Sequence, residues 1–181
     1  MENLITRNIA IHLKKSIFAI AILFLSGVLS PVTPQSPRSL RSKLIGTWRF
    51  VSASQRMTDG IVRPDPQTGP RGRGYIIYTE TGQMCAMIAN PDRPKWKSEA
   101  APQEDELRSA FAGLVAYCGT YEVNETEKYV VHHIELDKVP NRAGTDRKRY
   151  ISLSGNRLIL RPADLPEGVQ AWEVVWERVE K

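Results

Sequence analysis

The chain has 181 residues, 25 Lys and Arg against 20 Asp and Glu, a formal net charge of +5, and only three histidines. Residues 1–30 hold Arg7, Lys14 and Lys15 against the single acid Glu2, so the excess beyond them is +3. With Arg71, Arg73, Arg147, Lys148 and Arg149 interspersed among apolar positions, this mild charge excludes a nucleic-acid-binding footprint. One histidine, His12, lies in the first segment, and His132 and His133 are adjacent, so a three-histidine zinc site is excluded.

The N-terminus reads as a targeting segment. Ser16 to Leu29 is an uncharged apolar run, about the length of a signal-peptide core and short of the roughly 20 residues a membrane span requires. Val28-Leu29-Ser30 runs into Pro31, an unfavourable cleavage site. Residues 1–30 are therefore either a cleaved signal peptide or an uncleaved N-terminal anchor, and both place the protein outside the cytoplasm, periplasmic or secreted. Residues 31–42, with prolines at 31, 34 and 37, read as a linker. Residues 43–181 are enough for one domain with one core.

In that domain the period is mostly two, which predicts eight strands: Thr47 to Gln55, Gly74 to Tyr78, Gln83 to Ala89, Tyr117 to Val123, Tyr129 to Leu136, Lys148 to Leu153, Arg157 to Arg161, and Ala171 to Val179. The connectors Glu80-Thr81-Gly82, Asn124 to Glu127 and Ser154-Gly155-Asn156 are hairpin-length, so neighbouring strands run antiparallel. Eight such strands can close into an up-and-down barrel, an all-β fold. One segment departs from the pattern. From Gln103 to Val115, Leu107, Phe111, Leu114 and Val115 fall at helical spacing after Pro102 and three acids, which predicts an inserted α-helix. That helix is expected to lay its apolar stripe on the barrel, as a structural plug or as a lid. The string Gly69 to Gly74 resembles a glycine-rich loop, yet it has no strand before it and no helix after it.

The order and spacing of several short strings carry a family resemblance. They are Leu44-Ile45-Gly46-Thr47-Trp48-Arg49, Gly74-Tyr75-Ile76-Ile77-Tyr78-Thr79, Asn90-Pro91-Asp92-Arg93-Pro94, Tyr117-Cys118-Gly119-Thr120-Tyr121-Glu122-Val123, His132-His133, Pro140-Asn141 and Val175-Trp176-Glu177-Arg178-Val179. Together they resemble the bacterial and fungal lipocalin-like domain over Leu44 to Val179. The resemblance implies a lipocalin-type cup and little about chemistry. It also implies that a basic residue of the last strand covers the indole of Trp48, which makes Gly46, Trp48, Trp176 and Arg178 structural residues that close the barrel. Relatives often carry an aromatic after Pro-Asn, where this chain has Arg142, so the loop at Asn141 is expected to line a more polar mouth.

Alternation in such a barrel assigns faces. Val130, His132, Ile134 and Leu136 share one side of their strand, Arg149 lies with Ile151 and Leu153, and Tyr117 and Tyr121 lie with Gly119. The candidate ligand contacts are thus His132, Arg149, Tyr117, Tyr121, Tyr78 and Asn141, with His132, Arg149 and Tyr121 as candidates for proton transfer. The competing expectation is that His132 and Arg149 are internal hydrogen-bonding groups, or face solvent past a bulge. Cys85 and Cys118 fall on neighbouring strands, facing away from the apolar side, and either form a disulfide or stay as separate thiols.

The sequence therefore predicts an exported lipocalin-like barrel that binds a small hydrophobic or amphipathic molecule. No cofactor, metal or nucleic acid is expected; membrane contact is confined to the N-terminal segment, and the chain is expected as a monomer or weak dimer. Two alternatives stand beside it: a small isomerase or cyclase acting in the same cup, and an envelope interaction protein whose barrel is filled by side chains.

Overall fold

Alternation of inward apolar and outward polar residues is what lets this sheet curl on itself. In strand β4 (Gln83–Ala89), Met84, Ala86 and Ile88 are buried while Gln83, Cys85 and Met87 are exposed. The computed structural model describes residues 39–180. The remaining strands are β1 (Gly46–Met57), β2 (Val62–Pro64), β3 (Arg73–Tyr78), β5 (Leu114–Asn124), β6 (Tyr129–Asp137), β7 (Asp146–Ser154), β8 (Arg157–Pro162) and β9 (Val169–Arg178). Each pairs antiparallel with the next in the order β2-β1-β3-β4-β5-β6-β7-β8-β9, and β9 pairs back onto β1. The result is a closed eight-stranded up-and-down barrel, with β2 a short addition to the end of β1. All eight expected strands are present.

Closure depends on one corner. Gly46 has φ +132°, and a Cβ there would come within 2.7 Å of Arg178 Nη1, so only glycine leaves room for the guanidinium. Arg178 lies 4.1 Å from the Trp48 ring centroid and donates to the carbonyls of Ile45, at 2.8 Å, and Lys43. The Trp48 indole N–H donates to Leu44 O at 2.8 Å. The expected cation-aromatic cover is therefore present. These bonds also dock a short helix, α1 (Leu40–Leu44), whose first N–H groups at Leu40 and Arg41 donate to the Glu125 carboxylate at 2.6 and 2.9 Å. It includes residues 40–42, expected as linker. Leu44 of this helix packs with Trp48, Tyr78, Met84, Tyr121, Val130 and Leu158, and together they fill this end of the barrel.

Two expectations need correction. The inserted helix, α2 (Glu104–Ala112), stops before Leu114 and Val115, which begin β5 by pairing with Ala89 and Ile88. It thereby loses half of its apolar stripe, and Leu107 and Phe111 are 47% and 50% exposed. Its buried residue is Glu106, whose carboxylate accepts from the N–H groups of Lys97 and Gln103 at 2.8 and 2.7 Å. The helix is held by that carboxylate, and it neither plugs the barrel nor covers the cavity described below. The second correction concerns Leu136, which is 68% exposed. A bulge sets Gly119 against Ile134 and Cys118 against Leu136, so Glu135 is an extra residue and the face assignment flips after it. A Cβ on Gly119 would approach His133 O to 1.9 Å, so the bulge requires glycine.

Cys85 and Cys118 stand directly opposite on β4 and β5 and form a disulfide on the outer face. Two outcomes follow. Arg178→Ala removes a cation-aromatic contact and two carbonyl bonds, and should lower stability by about 1–3 kcal/mol, read as a lower urea midpoint at unchanged m. A thiol titration of the denatured, unreduced protein should find no free thiol; two thiols would contradict the bridge.

Candidate ligand cavity

The barrel is filled at the α1 end and hollow at the other. The hollow end holds a cavity of about 420 Å³. Its apolar wall comes from inward positions of five strands, among them Ala86, Ile88, Val115, Leu160, Val174 and Trp176. A loop after β2 forms part of the rim. There the buried Asp65 carboxylate accepts from Gln67 N, Thr68 N and Thr68 Oγ1 through one oxygen, at 2.9–3.1 Å, and from Gln55 Nε2 at 3.2 Å through the other. Gln67 then reaches across to donate to Leu114 O at 3.0 Å, which ties the loop to β5.

The polar groups concentrate on one side. Arg147 and Arg149 alternate inward from β7, Arg142 follows from the 3-10 turn Pro140–Arg142, and Tyr117 and Asp137 face each other across β5 and β6. Burial, and then the neighbouring guanidinium groups of Arg142 and Arg149, hold Arg147 below the ordinary guanidinium range.

His132 sits between the two halves. It is fully buried, with Nε2 2.8 Å from the Tyr78 hydroxyl and Nδ1 3.3 Å from the Tyr117 hydroxyl. Burial, and then the charges of Arg149, Arg147 and His133, hold its pKa well below 6.5, so the imidazole is neutral. Burial raises both tyrosines, well above the usual value for Tyr78, and both stay protonated. A neutral imidazole has one donor and one acceptor. Among the described residues, the only hydrogen-bond partner of the Tyr78 hydroxyl is His132, so donation from Tyr78 to Nε2 is the arrangement that leaves no buried O–H unsatisfied. Nδ1–H then donates to the Tyr117 oxygen. Tyr117 is left with its own O–H free to point at the cavity it lines.

The expected contact set therefore divides. Arg149 and Tyr117 line the cavity, and His132 stands behind Tyr117. Tyr78 and Tyr121 do not line it; they pack edge to face at 4.9 Å in the filled end, where Tyr121 donates to Thr79 O at 2.7 Å. Parity put them on the inward side and could not say that this end is filled by α1. Asn141 is exposed and off the cavity wall, and the next residue, Arg142, takes that place. Trp176, expected only as a closing residue, packs edge to face on Phe50 at 5.5 Å and also lines the cavity. Sequence reading assigns no cavity role to Arg147, Asp137 or Trp172, and it marks Arg142 only as the residue that makes the Asn141 loop more polar, which agrees with its place on the wall. Arg147 was within reach, two residues before Arg149 on the same face; Asp137 was not, because the bulge at Glu135 turns it inward.

A closed antiparallel barrel with one sealed end and one hollow end defines a lipocalin-type cup. The chain belongs to the lipocalin-like domain family, whose model matches residues 45–179. Similar solved structures include a lipocalin-like protein from Bacteroides uniformis, at 13% identity and TM-score 0.39, covering 75% of this chain and 98% of that one. An uncharacterized protein from Bacteroides eggerthii matches at 10% identity and TM-score 0.39, covering 75% and 99%. A point mutant of the fluorescent protein UnaG matches at 14% identity and TM-score 0.36, covering 77% and 99%. Comparison with curated proteins finds no match.

The neutral state of His132 has a pH signature. Below about pH 6.5 the unfolded chain binds a proton that the buried imidazole refuses, so this stabilisation is present above that pH and is lost as the pH falls. His132→Gln should flatten the loss of stability between neutral pH and about pH 5, measured by urea unfolding. An unchanged slope would show that His132 is not held neutral.

Proposed function

We propose that the protein is an exported binder of a small, largely apolar molecule. The observation that carries this reading is the cavity of about 420 Å³, within the range of small-molecule sites and combining apolar walls with a few convergent polar groups. The hollow end also weighs against the filled-barrel alternative. Export is supported by the Cys85–Cys118 disulfide, since such bonds persist in oxidising compartments. The residues expected to direct export, 1–30, lie outside the described residues. Among those described, no helix is long and apolar enough to cross a membrane.

The geometry favours binding over proton-transfer catalysis. His132, the one group with a suitable ordinary pKa, is fully buried behind Tyr117 and stays neutral as the pH falls well below 6.5. Tyr117, which does line the cavity, has its pKa raised, the wrong direction for a base. Both support an orienting row of hydrogen bonds from Tyr78 through His132 to Tyr117.

Mass spectrometry of an organic extract from protein purified from its native host should reveal a bound small molecule. Val174→Trp, which puts an indole into the cavity, should fold with the same circular dichroism spectrum and release none. A ligand-free native barrel, or equal release by Val174→Trp, would count against the binder reading.

A further inference from the structure

The unspent polar groups of the cavity are almost all of one kind. Among the described residues, no carboxylate lies within 4.0 Å of the Arg142, Arg147 or Arg149 guanidinium. Within the same residues Arg149 donates only to its neighbour's carbonyl, Lys148 O, at 2.9 Å. Among the described residues, Arg147 Nε is buried without a partner, and so are the indole nitrogens of Trp172 and Trp176 on the same wall. Tyr117 contributes the free O–H assigned above.

Among the described residues, the carboxylates on that wall are engaged elsewhere or lie beyond ion-pair distance of these arginines. Asp65 uses both oxygens on Gln55, Gln67 and Thr68. Asp137 accepts from Val139 N at 2.8 Å. Asp164 stands exposed on the rim. Three half-buried guanidinium groups thus share this space, and among the described residues none has a carboxylate in ion-pair contact. The charge of Asp137 favours Arg147 but is outweighed by burial and by the neighbouring arginines, an arrangement that a paired anion would relieve.

We propose that the occupant is a small amphipathic anion, with its acidic group against Arg147 and Arg149 and its apolar body against Leu160, Val174 and Trp176. This rests on the cavity-binding reading and narrows it to a chemical class. A planar carboxylate, or a tetrahedral sulfonate presenting two of its oxygens, suits paired guanidinium forks, which bind such groups through parallel N–H bonds. Tyr117 adds a neutral donor at the same place, and through it the His132 and Tyr78 row fixes the direction of that bond.

Two dyes with one ring system separate this inference from the reading beneath it. Anilinonaphthalene sulfonate carries an anionic group, and phenylnaphthylamine lacks it. Fluorescence titration of the full chain should show the sulfonate binding at least about 10-fold more tightly than the neutral dye. The double variant Arg147→Gln with Arg149→Gln should weaken the sulfonate by about 10- to 100-fold and move the neutral dye by no more than about 3-fold. Without dye, that variant should melt at or above the temperature of the native sequence, because it relieves unpaired like charges. Equal affinity for both dyes, or an unchanged sulfonate affinity in the variant, overturns the anion proposal and leaves the cavity-binding reading standing. Failure of both dyes to bind overturns both. A clear fall in melting temperature would show that the arginines hold the barrel together, and would also overturn the proposal.

Discussion

The pairing of β1 with β9 is the constraint on which the other features depend. Without it the sheet would have two open edges and no interior. β1 is twelve residues long, and it divides its length among partners: β3 at its start, β9 along most of it and β2 at its end. A bulge at Val51 separates the Phe50–Trp176 pair from the Ser52–Val175 pair, and Val51 is turned outward, 44% exposed. After that bulge Ala53 and Gln55 face inward. The strand can therefore pack Trp48 and Phe50 in one half of the barrel and give small or polar side chains to the other.

That division explains why only one end is hollow. At the closed end Arg178 satisfies the carbonyls of Lys43 and Ile45, and the Trp48 indole satisfies Leu44. The chain entering the barrel is tied down there, and α1 with the wholly buried Leu44 becomes the floor. At the other end the strands stop at loops, and the rim is held by hydrogen bonds such as those of Asp65 and Gln67. Apolar filling at one end and polar loop anchoring at the other leave His132 at the boundary. It bonds to Tyr78 on the filled side and Tyr117 on the hollow side.

Strand identity was legible because period two survives in every wall: Gln83–Ala89 and Tyr129–Ile134 read correctly residue by residue. What the sequence did not carry was the position of the bulges. An extra residue is invisible to periodicity, yet it moves every later side chain to the opposite face. Leu136 and Asp137 exchanged faces for that reason. The helix was misread by a related ambiguity. Leu114 and Val115 satisfy helical spacing from Leu107 and Phe111, and they equally satisfy a strand start; pairing with Ile88 and Ala89 decided between the two. The disulfide was open for the same reason, since inserting α2 between the paired strands hides their register.

Strand β7 shows how one composition yields two chemistries. Arg147, Lys148 and Arg149 are consecutive cations, and in a solvated tail they would be equivalent. In the barrel wall Lys148 points out, its ammonium 3.8 Å and 5.0 Å from the ring centroids of Tyr129 and Tyr150, with Glu127 at 4.0 Å. There it has aromatic faces, a carboxylate and water. Arg147 and Arg149 point in, against a wall whose carboxylates serve the loops. A residue retained for strand stability alone would sit more favourably in that position as an apolar side chain. The inward pair therefore gives the cavity its charge, and the outward lysine belongs to the surface of the barrel.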